Sequence, residues 1–288
     1  HENKSFAVQQ IVGLGRQADA EYLKSKGFRY LAPSPVYVAE NDRYDTKVKA
    51  ERSGNLLQEC TLDDIKDIKA DFLFAAEKAF EAGVDAVEIH GANGYLLNQF
   101  IDKKTNKRTD NYGTSNNEDR ARLFLEVYDE MVAAHGGDKV AIRLSPFGLM
   151  GDMTAATDPE DTVQFYTYLY GELEKRRLAG KGPLYISLIE PRTDEMDLSK
   201  ENKLVSNEFV FENFKGVVIR AGNIILDNEY TKKIVDQNDK TLIAFGRYFM
   251  SNPDLIERLE QGWEINNYDR STFYTGGMKG YVDYEYYQ

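Results

Sequence analysis

Cysteine is nearly missing from this sequence: Cys60 is the only one in 288 residues. No disulfide can form within the chain, and a lone thiol fits a reducing, cytoplasmic compartment. Cys60 stands just before a helix-opening threonine, but no histidine lies near it in sequence, so it reads as inert rather than nucleophilic. Histidine is almost as scarce; the three present lack metal-ligand spacing, and no metal site is expected. Positive charge is in deficit, with 36 Lys and Arg against 48 Asp and Glu and a net charge of -12. That balance opposes partners such as nucleic acid or an anionic membrane. No apolar run is long enough for a transmembrane helix, and no secretory leader is visible. Asn3-Lys4-Ser5 spells a glycosylation triplet, but it abuts a predicted strand and is discounted.

What is present is core. The chain is 42% hydrophobic and 12% aromatic, with 19 tyrosines. Strands are expected near 5–12, 86–90, 140–144, 184–189, 217–220 and 242–246. The first is expected to be buried, with Gln9 or Gln10 facing a polar ligand or loop. Helices are expected over 61–83, 118–134, 159–178, 208–213, 228–236 and 253–261. Thr61-Leu62-Asp63-Asp64 is a capping-box variant that opens the first of them. Residues 16–60 have weak periodicity and read as a long loop insertion, with room for a hairpin, serving either as a lid or as a surface excursion.

Six strand–helix alternations without a linker imply one domain over 1–288 of class α/β with parallel strands. A closed (β/α)8 barrel of the TIM type needs eight such units. The chain starts with His1, almost directly in a strand. Six of eight units, with the N-terminal two missing, is therefore the expected architecture.

The chemistry concentrates after the second strand. His90 ends it, Asn93 follows three residues on, and Tyr95 two after that. Strand ends of parallel α/β proteins open on the functional face. An imidazole and an amide there can donate to one oxygen, and a phenol can donate a proton. The same residues also suit a plain turn with a satisfied histidine. Arg143 shares the interior orientation of Ala141 and Ser145, and an unpaired cation there implies either a bound anionic group or a carboxylate such as Glu88. The last two strands end in Ala221-Gly222-Asn223 and Phe245-Gly246-Arg247. Glycine backbone and an arginine fork after the last two strands suit a phosphate.

Several stretches resemble the Old Yellow Enzyme family, its fungal members in particular. They are Glu88 to Phe100 (EIHGANGYLLNQF), Arg108 to Gly113 (RTDNYG), Arg143-Leu144-Ser145-Pro146, Glu190-Pro191-Arg192, Ile219 to Asn223 (IRAGN), Gly246 to Phe249 (GRYF) and Ser251 to Leu255 (SNPDL). The resemblance runs in order from His1 to about Tyr284. It implies an FMN-containing barrel that uses NADPH or NADH to reduce the C=C bond of α,β-unsaturated carbonyls. Gln10 would contact the flavin pyrimidine, Arg143 its N1 and O2, and Gly222, Asn223, Gly246 and Arg247 the phosphate. His90 and Asn93 would bind the substrate oxygen, Tyr95 would donate the proton, and Tyr274 would stand at the substrate mouth. The expected partners are small-molecule enones, quinones and phenols, with a homodimer open.

The chain also departs from the family pattern. Thr114 stands where a second glycine is usual, and no aromatic residue stands near Met196–Asp197, which leaves substrate shape open. The rival readings are a non-catalytic phenol- or steroid-binding barrel and a truncated, inactive fragment. An aldolase-like phosphate barrel would need a lysine nucleophile or a metal at a strand end.

Overall fold

The computed structural model describes residues 2, 4–40, 45–154, 157–191, 206–222 and 228–288. It divides into two compact units, His1–Arg220 and Ala221–Gln288. The first opens with β1 (Val8–Ile11). It continues through α1 (Ala20–Ser25), β2 (Leu31–Ala32), α2 (Thr46–Ser53), β3 (Gln58–Glu59) and α3 (Leu62–Glu81) to β4 (Ala86–Gly91). Then follow α4 (Leu96–Ile101), α5 (Asn117–His135), β5 (Val140–Leu144), α6 (Pro159–Leu178), β6 (Ile186–Ile189), α7 (Val210–Asn213) and β7 (Val218–Ala221). The strand order is β1-β4-β5-β6-β7, with β2 paired to β3 apart from it.

Three pairs of this sheet are parallel and in register: Gln10 opposite Glu88, His90 opposite Arg143, Arg143 opposite Ser187. Alternation along each strand then sorts the residues by face. Val87, Ile89, Val140, Ile142, Leu144, Ile186 and Leu188 join one core with Ile65 and Phe72 of α3, Leu123, Phe124, Val127 and Met131 of α5, and Phe165, Leu169 and Leu173 of α6. Each large side chain so buried contributes roughly 1.5–3 kcal/mol. The opposite face carries Gln10, Glu88, His90, Arg143 and Ser187. The sheet thus has an apolar side that packs the helices and a polar side left for chemistry.

The helix signals held locally. Thr61 accepts from the Asp64 amide at 3.1 Å, and the Asp64 carboxylate accepts from the Thr61 amide at 2.8 Å, a complete capping box for α3. Pro159 starts α6 behind an Asp158 cap, where its missing N–H is harmless.

Two expectations need correction. β1 is not buried: Val8, Gln9 and Gln10 are exposed, because β1 ends the strand order with β4 on one side only. Nor do the described residues of 16–60 form a hairpin. β2 and β3 pair in parallel, which no hairpin turn can join, and α2 lies between them as the crossover. This excursion has its own small core of Ala18, Ala20, Tyr30, Ala32, Ala50 and Leu57. Cys60 is instead buried in the main core, and burial pushes its thiol up to about 12, as an inert cysteine requires.

The second unit contains α8 (Asn228–Asp236), β8 (Thr241–Ala244), the sixth expected strand, α9 (Arg247–Ser251) and α10 (Leu255–Gln261). Tyr248 and Leu255 pack with Phe245, Leu259, Ile265 and Tyr268. Arg258 is buried, bonded to Asp254 at 2.6 Å, and donates to the carbonyls of Glu264 and Glu285. Trp263 stacks on Tyr287 at 4.4 Å, which engages the tyrosine-rich tail. Met196 and Asp197, near which no aromatic residue stands, lie outside the described residues. Among the described residues no helix is long and apolar enough to cross a membrane.

Candidate active site

β4 runs its polar face out through Glu88 and His90, then turns at Ala92–Gly94 into α4. α4 is buried at all six residues, its amides Asn98 and Gln99 included, so the turn is pinned to the core immediately behind it. Tyr95 caps α4 in extended conformation, and the Leu96 amide donates to the Gly13 carbonyl at 2.8 Å. His90, Asn93 and Tyr95 are therefore carried by a short turn fixed at both ends.

His90 is 4% exposed, and its imidazole is pushed down to about 4, first by burial and then by the positive charge of Arg143. It is neutral at pH 7. The Ala92 amide donates to its Nδ1 at 3.1 Å, which makes Nδ1 the acceptor and places the proton on Nε2. The N–H that His90 can offer a ligand is thus Nε2–H. The Tyr95 ring meets the imidazole edge-on, with centroids 5.0 Å apart and planes at 89°.

Asn93 has φ +57, a left-handed conformation that asparagine tolerates better than most residues. Its amide N–H donates to Ser145 Oγ at 3.0 Å, and its carbonyl accepts from Gln17 at 2.8 Å. These bonds use only its backbone, so its side-chain amide stays a separate group on a half-exposed residue three positions after His90. A neutral imidazole N–H, a primary amide and a phenol in one turn can hold an oxygen and supply a proton near it.

Across the sheet, Gln10 donates from Nε2 to Glu88 Oε1 at 2.6 Å, which leaves Gln10 Oε1 as an acceptor. Glu88 is buried and also pairs with Tyr185, whose phenol is pushed up by burial and then by the carboxylate's charge. Of the two partners open for Arg143, Glu88 is not the one taken. Arg143 is half-buried, donates to Ser187 Oγ at 3.3 Å, and forms no ion pair among the described residues. Glu88 is one residue layer away, opposite Ala141, and is occupied by Gln10 and Tyr185.

In the second unit, Gly246 precedes α9, with open space where a Cβ would project. Arg247 donates to the Tyr268 hydroxyl and stacks on the Tyr268 ring at 4.7 Å. Gly222 is half-exposed; Asn223 lies outside the described residues, as does Arg192. Tyr274 is 96% exposed at φ +60, and its amide donates to the Tyr281 hydroxyl at 2.8 Å.

Sequence reasoning missed Gln17, Ser187, Tyr185 and Tyr268. Strand register could have flagged Ser187, opposite Arg143. Gln17 ends a single 3-10 turn, and Tyr185 and Tyr268 lie outside helices and strands, where contacts leave no periodic trace. Within the motif Ile219 to Asn223, Arg220 holds the fold together: it is 1% exposed, forks onto Glu190 at 2.7 and 3.0 Å and also pairs with Glu208.

The model of the NADH:flavin oxidoreductase / NADH oxidase family matches residues 1–266 of this chain. Enoate reductase 1 of Kluyveromyces lactis is 47% identical over 293 residues, which take in 100% of this chain and 72% of the relative. A probable NADPH dehydrogenase of Candida albicans is 41% identical, over 99% of this chain and 69% of its own length. The crystal structure of Old Yellow Enzyme from Pichia sp. AKU4542 superposes with a TM-score of 0.88 at 40% identity, over 100% of this chain and 71% of that one. The strand–helix alternation is thus that of the β/α-barrel fold.

Proposed function

Because this chain belongs to the NADH:flavin oxidoreductase / NADH oxidase family, we infer that it is an FMN-dependent ene-reductase that oxidises NADPH or NADH and saturates the C=C bond of α,β-unsaturated carbonyls. The observation that carries the chemistry is His90: buried, neutral, with its proton on Nε2, beside Asn93 and Tyr95. FMN, when bound, supplies the hydride chemistry. The residues suit it. Arg143 is a half-buried cation with no carboxylate on it among the described residues, Gln10 keeps an oxygen for an N–H, and Gly246 leaves open space for a phosphate that Arg247 and Gly222 would hold.

The protein's own part is orientation and proton supply. His90 Nε2–H and the Asn93 amide hold the substrate oxygen and stabilise the negative charge that builds on it as the β-carbon is reduced, as an oxyanion hole does. A neutral donor serves here better than an imidazolium, since it keeps its proton while bound. Tyr95, its ring against His90, gives its phenolic proton to the α-carbon. The 16–60 excursion would serve as a lid over the approach. The single buried Cys60 supports a cytoplasmic setting.

The test is ligand binding by full-length holoenzyme. His90→Ala and Asn93→Ala should retain the flavin colour and bind a simple phenol at least about tenfold more weakly, as loss of a hydrogen bond to a charged or polarised oxygen does. Unchanged phenol affinity in both variants would remove the pair from the oxygen site.

A further inference from the structure

The turn that carries Asn93 is held by groups outside it. Both peptides flanking the Asn93 Cα are fixed: Ser145 Oγ accepts the N–H of one at 3.0 Å, and Gln17 Nε2 donates to the carbonyl of the other at 2.8 Å. Peptides are planar, so holding both sets φ and ψ of Asn93 and with them the direction of its Cα–Cβ bond. The next amide, of Gly94, donates to Asn98 Oδ1 at 2.8 Å and continues the frame.

Gln17 reaches this carbonyl through a notch that exists because two facing residues are glycine. A Cβ on Gly94 would lie 3.0 Å from Gln17 Nε2, and one on Gly151 would lie 2.4 Å from it. The notch is itself anchored. Arg16, fully buried, donates to the carbonyls of Val36, Tyr37, Gly151 and Asp152, with 2.6 Å to Gly151. Tyr30 in turn donates its hydroxyl to the Arg16 carbonyl. Gln17 is thereby held at a fixed height between the loop after β1, the loop after β5 and the Asn93 turn.

We propose that Gln17 is a positioning residue for substrate reduction, acting through the Asn93 backbone to aim the Asn93 amide at the substrate oxygen. This rests on the reading of Asn93 as an oxygen ligand. Gln17 does not touch substrate; its hydrogen bond sets where a group that does will stand. Misplacement of such a group by an ångström lowers rate by up to about 100-fold.

The experiment is a double-mutant cycle in the full-length holoenzyme with Gln17→Met, which keeps the side-chain volume and loses the donor, and Asn93→Ala. The readouts are kcat/KM for an enone, the phenol Kd from the visible spectrum of bound flavin, and the thermal midpoint. Gln17→Met should lower kcat/KM and weaken phenol binding, each by about tenfold. In the Asn93→Ala background it should change neither, because the group it positions is gone. If Gln17→Met fails to fold, Gln17→Glu keeps the shape and sets an oxygen against the Asn93 carbonyl, and should show a larger loss that is again absent without Asn93. Multiplying losses in the double variant, or no loss from Gln17→Met while Asn93→Ala is impaired, would overturn the proposal. If Asn93→Ala itself changes neither readout, the oxygen-ligand reading falls, and the positioning role with it.

Discussion

The Ala92 amide donates to Nδ1 of His90 at 3.1 Å, two residues back along the chain, and that one bond decides which ring nitrogen carries the proton. With burial and Arg143 holding the imidazole near 4, His90 is a neutral donor across the physiological range.

A stability profile should register this. The unfolded imidazole titrates near 6.5 and the folded one near 4, so the folded state binds fewer protons between those values. Stability is fully present above about 6.5 and is lost as pH falls toward 4, by at most about 3 kcal/mol from this group. Denaturant unfolding of the full-length protein across that window should slope less steeply in His90→Asn. An identical slope would show that His90 is not buried neutral.

Tyr95→Phe loses only a hydroxyl. Flavin content and phenol binding should persist, and NADPH oxidation with a quinone acceptor, which needs no carbon protonation, should stay fast. Enone reduction should slow by roughly 10²–10⁴-fold. Rapid-mixing measurement of the two half-reactions separately checks this; equal slowing of both would make Tyr95 a packing residue.

Much of this arrangement was legible in the sequence, for physical reasons. Six of the eight described strands and the long helices α3, α5 and α6 announce themselves by periodicity and by Thr61 and Pro159 at their starts, whereas β2 and β3, of two residues each, do not. The helices α4 and α9 have six and five residues, too short for periodicity to develop. The exposure of β1 was hidden because burial depends on which neighbours a strand has, not on its own residues. His90, Asn93 and Tyr95 stood out as residue types at a strand end, yet the protonation of His90 depends on a backbone amide and on Arg143, far along the chain. Gln17 bonds to a backbone carbonyl, and such a bond leaves no mark on the residue that accepts it.

Arg247→Ala should weaken FMN retention by full-length protein, measured by flavin release on dilution. Tyr268→Phe should weaken it less, since the ring that Arg247 stacks on remains and only the hydroxyl is lost. Retention unchanged at low FMN would take Arg247 out of the phosphate site.

The buried fork of Arg220 onto Glu190 should matter to stability rather than to catalysis. Glu190→Ala removes the two-pronged carboxylate from a guanidinium that is 1% exposed, and should lower stability by about 3 kcal/mol. Denaturant midpoints give the number; a change below about 0.5 kcal/mol would mean that water screens the pair.

The most direct test is the stoichiometry of purified full-length protein given NADPH and an enone such as a cyclic 2-alkenone under anaerobic conditions. The expected result is a yellow protein that forms one saturated ketone for each NADPH consumed, with the turnover abolished in His90→Ala/Asn93→Ala. A protein that binds phenols but neither carries flavin nor consumes NADPH would contradict it and establish a non-catalytic binder in its place.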